Sequence, residues 1–254
     1  MKPILISVII FLFSLRCFAQ VIIKGKISEY KNSKPIANAS VFLNNATIGC
    51  KSTDDGSFTL MNVKPGRYEL VVSIIGFESI RKMLIVENTN IDINEIKLHP
   101  KTLEINEVKI SYRTDPNRER YIQWFKEAFI GNSLLAQDCK ILNPDALELN
   151  YDDRAKRLNA STSDFLEIEN DALGYKIKYS LANFTLDNSS SAKFYLDYQG
   201  TVLFEELDGT KSQKRLWSQH REEAYQGSFM HFLRAVLNDH LTSEGFRVLR
   251  LVKN

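Results

Sequence analysis

From residue 21 to residue 98 apolar and polar side chains alternate. Over 67–74, Tyr68, Leu70, Val72 and Ile74 fall on one face of an extended chain, and Glu69, Val71 and Ser73 fall on the other. Runs of this kind at 21–27, 40–43, 57–60, 67–74, 80–86 and 91–98 are separated by turn chemistry. Asp55-Gly56 tolerates positive φ between two strands, Pro65-Gly66 presets one turn position and frees the next, and Gly76 closes a strand before Phe77. Short strands at regular spacing predict a β-sandwich.

The period then changes. His99-Pro100 interrupts the last strand, 103–110 alternates once more, and 111–117 is polar. Asp115-Pro116 reads as an N-cap followed by a proline suited to the first helical turn. Tyr121, Ile122, Phe125, Ala128 and Phe129 recur at three- and four-residue spacing, Trp124 widens that face, and Gly131 offers a stop. Strands are expected at 147–151, 157–160, 165–169, 175–184, 192–198 and 201–204, with Tyr198-Gln-Gly-Thr201 as a tight hairpin turn. Helix returns over 211–241, broken at Gly227-Ser228, where one helix ends and Ser228 caps the next. The pattern therefore divides the chain into an N-terminal all-β sandwich (20–98), a linker (99–116) and a separate α+β domain (117–254).

Residues 1–19 stand apart from both. Lys2, an apolar run over 4–15 and small side chains at Cys17 and Ala19 predict a secretory signal peptide cut before Gln20. The apolar run is shorter than the roughly 20 residues that span a bilayer, and Arg16 just before Cys17 departs from a lipoprotein signal. Cleavage would take Lys2 and Arg16 from the 33 basic residues and none of the 31 acidic ones, which leaves the signs balanced. A neutral chain with no Lys/Arg run among aromatics gives no reason to expect nucleic acid as a partner. No later stretch is apolar enough for a membrane span, and at 44% hydrophobic residues the chain can bury two cores.

The segments Gly25-Lys-Ile-Ser28, Pro35-Ile-Ala-Asn-Ala-Ser-Val-Phe-Leu43, Thr53-Asp-Asp-Gly-Ser-Phe-Thr-Leu60 and Pro65-Gly-Arg-Tyr-Glu-Leu-Val-Val-Ser-Ile-Ile-Gly-Phe77 occur in the order that resembles a carboxypeptidase-regulatory-like domain. This is a transthyretin-type module appended to exported peptidases and to outer-membrane nutrient receptors of Bacteroidetes-type bacteria. The resemblance implies an immunoglobulin-like, carbohydrate-binding-like fold of two antiparallel sheets that recognises or scaffolds and does not catalyse. In the receptors a segment like 103–110 leads into a plug and barrel; here too few residues follow, without the repeated alternating strands of a barrel. Gly174-Tyr175, the run 217–228 and His231-Phe-Leu-Arg234 are similar to the downstream region of bacteroidete proteins bearing the same module, which supplies no chemistry.

His220-Arg-Glu-Glu223 has the His-x-x-Glu spacing of two zinc ligands, but no third ligand and no downstream catalytic Glu complete it. Ser228, His231 and Asp239 suggest a triad without a nucleophile elbow, and a capping serine already uses its oxygen on backbone N–H groups. Glu205, Glu206 and Asp208 could include a glycosidase pair only at a separation that sequence does not give. Asp54 and Asp55 lack the further oxygen ligands of a calcium loop. Cys50 and Cys139 fall in different domains and read as two thiols rather than a disulfide. No cofactor is expected. Trp217, Arg221, Tyr225, His231 and Arg234 form the candidate ligand surface, beside the plainer reading of aromatic packing with long arginines. The reading is an exported non-enzymatic binding or scaffold protein of the cell envelope, in the periplasm or on the outer-membrane surface, with an envelope protein, peptide or glycan as partner. Its rivals are an envelope hydrolase of peptide or glycan with a cryptic C-terminal site, and an accessory subunit of a nutrient-uptake system.

Overall fold

The structure, a computed structural model, describes residues 20–101, 115–190 and 193–250. The expected signal peptide and the alternating segment 103–110 lie outside the described residues. The chain is an N-terminal β-sandwich followed by an α+β region. Strands β1 (Val21–Glu29), β4 (Ser57–Val63) and β7 (Ile91–Leu98) form one sheet in the order β4-β1-β7. Strands β2 (Ser40–Leu43), β3 (Gly49–Lys51), β5 (Gly66–Ser73) and β6 (Ile80–Val86) form the other in the order β3-β2-β5-β6. The inward positions of the alternation meet between them: Ile23, Ile27, Leu43, Leu60, Leu70, Val72 and Leu98 are all buried. Burial of this apolar surface is the main driving force for the layer.

Two expectations need correction here. The sheets are not wholly antiparallel, because β7 runs parallel to β1, with Ile23 opposite Ile91 and Ile27 opposite Ile96. The preceding strand, β6, belongs to the opposite sheet, so the chain enters β7 by crossing between layers instead of reversing through a hairpin. Val71 was expected on the outer, polar face, yet it is buried. Phe42, Val71 and Leu203 form a cluster against Phe165, so the outer face of the β2/β5 pair is covered by the second region.

In that region α1 (Arg118–Phe129) packs over a sheet ordered β8-β11-β12-β10-β9, with β13 along β12. Its strands are β8 (Cys139–Ile141), β9 (Leu147–Asp152), β10 (Arg157–Thr162), β11 (Leu166–Asn170), β12 (Tyr175–Ser190) and β13 (Lys193–Glu206); a short helix α2 (Leu134–Gln137) follows α1. Tyr121 and Phe125 of α1 enter the core of Leu149, Leu158, Leu166, Leu181 and Phe184. The helix begins later than expected. Asn117 occupies the N-cap, while the Asp115 carboxylate accepts the Asn117 N–H at 2.7 Å and makes a turn ahead of it. Gly131 does stop the helix, at φ 88°.

The expected hairpin turn at Tyr198-Gln-Gly-Thr201 is also corrected: β13 runs straight through it. Gly200 lies opposite Leu181 beside a register shift, and a Cβ there would meet the Tyr179 ring at 2.3 Å. The glycine marks a close approach inside a strand, not a turn.

Helices α3 (Lys211–Tyr225) and α4 (Phe229–Leu237) are the last helices of the described residues, followed by turns. Thr210 and Gln213 close a capping box on α3. Gly227 at φ 75° separates the two helices, and the Ser228 hydroxyl accepts the His231 N–H at 3.1 Å. Replacing Ser228 by Ala removes that acceptor and is expected to cost about 1 kcal/mol in urea unfolding. An unchanged midpoint would mean that the cap contributes nothing.

Candidate functional site

The sandwich and the second sheet are joined by main-chain bonds. The segment after β2 lies along β13: Asn45 N–H donates to the Val202 carbonyl at 3.0 Å, and Phe204 N–H donates to the Ala46 carbonyl at 3.0 Å. Asn44 ties both sides, its amide donating to Glu69 Oε2 at 2.6 Å and its Oδ1 accepting Val202 N–H at 2.9 Å. Phe42 sits beneath, its ring 5.9 Å from that of Phe165 in an edge-on contact. Gly49 is needed at this seam, since a Cβ would meet Phe42 Cβ at 3.0 Å and Leu203 Cδ1 at 3.1 Å.

One pleat further along the same face the two surfaces diverge and leave a cleft of about 390 Å³. Its sandwich wall is a cross-strand row: Ser40 on β2 lies opposite Lys51 on β3 and Ser73 on β5. The turn 74–79 continues it with Phe77 and Ser79, whose hydroxyl donates to Ser73 Oγ at 3.0 Å. Lys101 closes one end, its N–H bonded to the Gly76 carbonyl at 2.7 Å. The opposite wall is the outer face of the second sheet and the β10–β11 turn, with Thr162, Ser163, Asp164, Phe165, Glu167, Lys178 and Ser180. Asn143 fastens that turn by donating to the Phe165 carbonyl and accepting Glu167 N–H.

Charges on the second wall are mostly neutralised. Lys178 pairs with Glu205 at 2.6 Å, and Glu167 pairs with Lys176 at 2.8 Å. Asp164 Oδ1 accepts the Phe165 N–H at 2.7 Å. Lys51 and Lys101 have no ion partner among the described residues.

The residues singled out by sequence fall into two groups elsewhere. Trp217 and Arg221 face the turn after β11: Trp217 Nε1 donates to the Asp171 carbonyl at 2.9 Å, and Arg221 Nε donates to the Leu173 carbonyl at 2.8 Å. Between them His220 Nδ1 bonds the Ala172 carbonyl at 2.8 Å. The Arg221 guanidinium also pairs with Glu206 at 2.8 Å and lies 3.8 Å from the centre of the Tyr175 ring. One face of α3 thus satisfies three consecutive carbonyls of one turn. Burial pushes the Tyr175 phenol above its ordinary range, against the opposing effect of Arg221.

Tyr225, His231 and Arg234 come together in the second group. Arg234 lies over the Tyr225 ring at 5.2 Å, and the buried His231 ring sits between Tyr225 and Phe246. Its Nδ1 accepts Gly227 N–H at 3.0 Å, and its Nε2 faces Glu244 at 3.0 Å. These partners assign the proton to Nε2. The imidazole is turned to Glu244 rather than to the Ser228 hydroxyl, which caps α4.

The remaining sequence candidates are accounted for locally. Among the described residues no group of three or more metal-ligating side chains comes together. Asp55 accepts from the Thr53 hydroxyl at 2.7 Å and from the Ser57 N–H and hydroxyl, and these bonds, the Thr53 one foremost, hold its carboxyl far below the usual carboxylate range. Cys50 and Cys139 are free thiols, each pushed up by burial. Sequence reasoning missed the cleft itself. Ser40, Lys51 and Ser73 were visible as polar outward positions, but no local signal says which turn of the second region faces them.

No curated protein matches the chain. Among solved structures it is similar to a cohesin–X-dockerin complex chain from Acetivibrio cellulolyticus at 14% identity and TM-score 0.30, over 34% of this chain and 62% of that one. It thus spans less than two thirds of that chain's length. It is also similar to a putative carbohydrate binding protein from Bacteroides uniformis, at 10% identity and TM-score 0.27, over 73% and 79% of the two chains. A DUF3823 family protein from Parabacteroides merdae matches at 12% identity and TM-score 0.24, over 75% and 82%. No helix among the described residues is long and apolar enough to cross a membrane. The sequence of residues 23–110 matches the CarboxypepD_reg-like domain family, a stretch that includes most of the β1–β7 sandwich.

Proposed function

We propose that the protein is an exported, non-enzymatic binding protein of the bacterial cell envelope, in the periplasm or on the outer-membrane surface. Its sandwich (20–98) and α+β domain (117–254) together hold a polar ligand in the cleft where they part. Export rests on the leader-like pattern of residues 1–19. Binding rests on the cleft lining: hydroxyls from Ser40, Ser73, Ser79 and Ser163, two lysines without ion partners among the described residues, and two phenylalanines. Such a set supplies donors, acceptors, charge and a little apolar surface, which is what orients a ligand. Bond cleavage asks for a nucleophile beside a base, or for two free carboxylates set across a bond. In the cleft Glu167 is paired with Lys176, and Asp164 accepts a backbone N–H of its own turn.

Replacing Ser40 by Tyr places a phenol in the cleft at a strand position that tolerates it. Calorimetric titration with neutral oligosaccharides, acidic oligosaccharides and short peptides is expected to find binding without conversion of the probe. That binding should weaken at least about tenfold in Ser40→Tyr, a loss of about 1.4 kcal/mol. New reducing ends or free amines, or equal binding by Ser40→Tyr, would contradict the reading.

A further inference from the structure

The two walls of the cleft differ in charge. On the second-region wall the ion pairs Lys178–Glu205 and Glu167–Lys176 cancel within the sheet, while Asp164, whose Oδ1 accepts the Phe165 N–H, keeps one negative charge against the two positive charges of the opposite side. On the sandwich side Lys51 and Lys101 are exposed and have no ion partner among the described residues, and both line the cleft. An ammonium without an ion partner is hydrated on its own, but it can hold an anionic group of a ligand whose other groups are bonded by hydroxyls beside it. Those hydroxyls are present: Lys51 shares its cross-strand row with Ser40 and Ser73, and Ser79 follows through its bond to Ser73.

We propose that the cleft takes an acidic oligosaccharide, its ring hydroxyls bonded by the serine row and its anionic groups held by Lys51 and Lys101. This rests on the reading that the cleft binds a ligand. A peptide is disfavoured by the backbone. An extended peptide gains its affinity from an open strand edge or from apolar side-chain pockets. The cleft offers the faces of sheets instead. β2 is flanked by β3 and β5, β5 by β2 and β6, and β12 by strands on both sides. β3, at the sheet edge, is three residues long. Half-buried Phe77 and Phe165 add apolar surface to the lining, while serine hydroxyls, each both donor and acceptor, match sugar hydroxyls.

The test is calorimetry on the full chain with four probes: trigalacturonate, its methyl ester, sulfated maltotriose and triglutamate. Trigalacturonate is expected to bind about tenfold more tightly than its ester at low salt, with the advantage shrinking as ionic strength rises. Lys51→Gln combined with Lys101→Gln should remove the advantage of the acid over the ester while leaving the unfolding midpoint unchanged. Comparable or tighter binding of sulfated maltotriose keeps the acidic glycan and names sulfate as the anion. Equal affinity for acid and ester, or an acid preference untouched by the double substitution, overturns the inference. Tighter binding of triglutamate than of either glycan also overturns it. If the ester binds and Ser40→Tyr abolishes that binding while the acid gains nothing, the cleft remains a binding site and only its acidic preference falls. If no probe binds, both fall.

Discussion

Gly174→Ala is expected to unseat α3 and to lower the free energy of unfolding by about 3 kcal/mol. The residue sits at φ 68°, where an L side chain is strained by about 1–2 kcal/mol. A Cβ there would lie 2.1 Å from Trp217 Cδ2 and 2.4 Å from Cε3, so the indole has to move. Trp217 is nearly buried, and a large aromatic lost from its site costs about 3–5 kcal/mol, of which a partial displacement forfeits a share. Moving the indole also pulls Nε1 from the Asp171 carbonyl and disturbs the His220 and Arg221 bonds to the next two carbonyls. Equilibrium urea unfolding measures the loss. A change below about 1 kcal/mol would mean that α3 does not depend on this turn.

Phe42→Ala should have an effect of similar size, about 3–4 kcal/mol, for a different reason. Phe42 points away from the sandwich core and is buried only because Leu203 and Phe165 cover it together with Val71. The sandwich core is drawn entirely from 21–98, and the second core entirely from 121–196. Removing the ring therefore empties the seam between two cores that each remain closed. Differential scanning calorimetry is expected to show a lower first transition and a split between the two units. A single transition at the original temperature would show that the seam does not couple them.

Much of the sandwich was legible because its signals are local. Alternation placed Tyr68, Leu70 and Val72 on one face, and Asp55-Gly56 marked a true turn, with Gly56 at φ 79°, between β3 and β4 of opposite sheets. The failures share one cause, which is that contacts between distant segments override local pattern. Val71 obeys period two and is buried all the same, since Leu203 lies over it. Gly200 looks like a turn residue and is instead the gap that the Tyr179 ring fills. The short β3 shows no alternation of its own and is held by pairing with β2. At the candidate site the same limit applies more strongly. Clustered aromatics and arginines around 217–234 drew attention in sequence, yet Trp217 and Arg221 answer backbone carbonyls of a neighbouring turn. The cleft is assembled from β2, β3 and β5, from the second sheet, and from two turns more than 60 residues apart, which together carry ordinary serines and lysines.

Amide hydrogen exchange of the full chain, with and without saturating trigalacturonate, tests the central claim most directly. Binding in the cleft predicts slowed exchange in the turn 74–79 and in 162–165, with no change around Tyr225, His231 and Arg234. Protection confined to 225–246, or unaltered exchange in both turns of the cleft while the probe is bound, would contradict it.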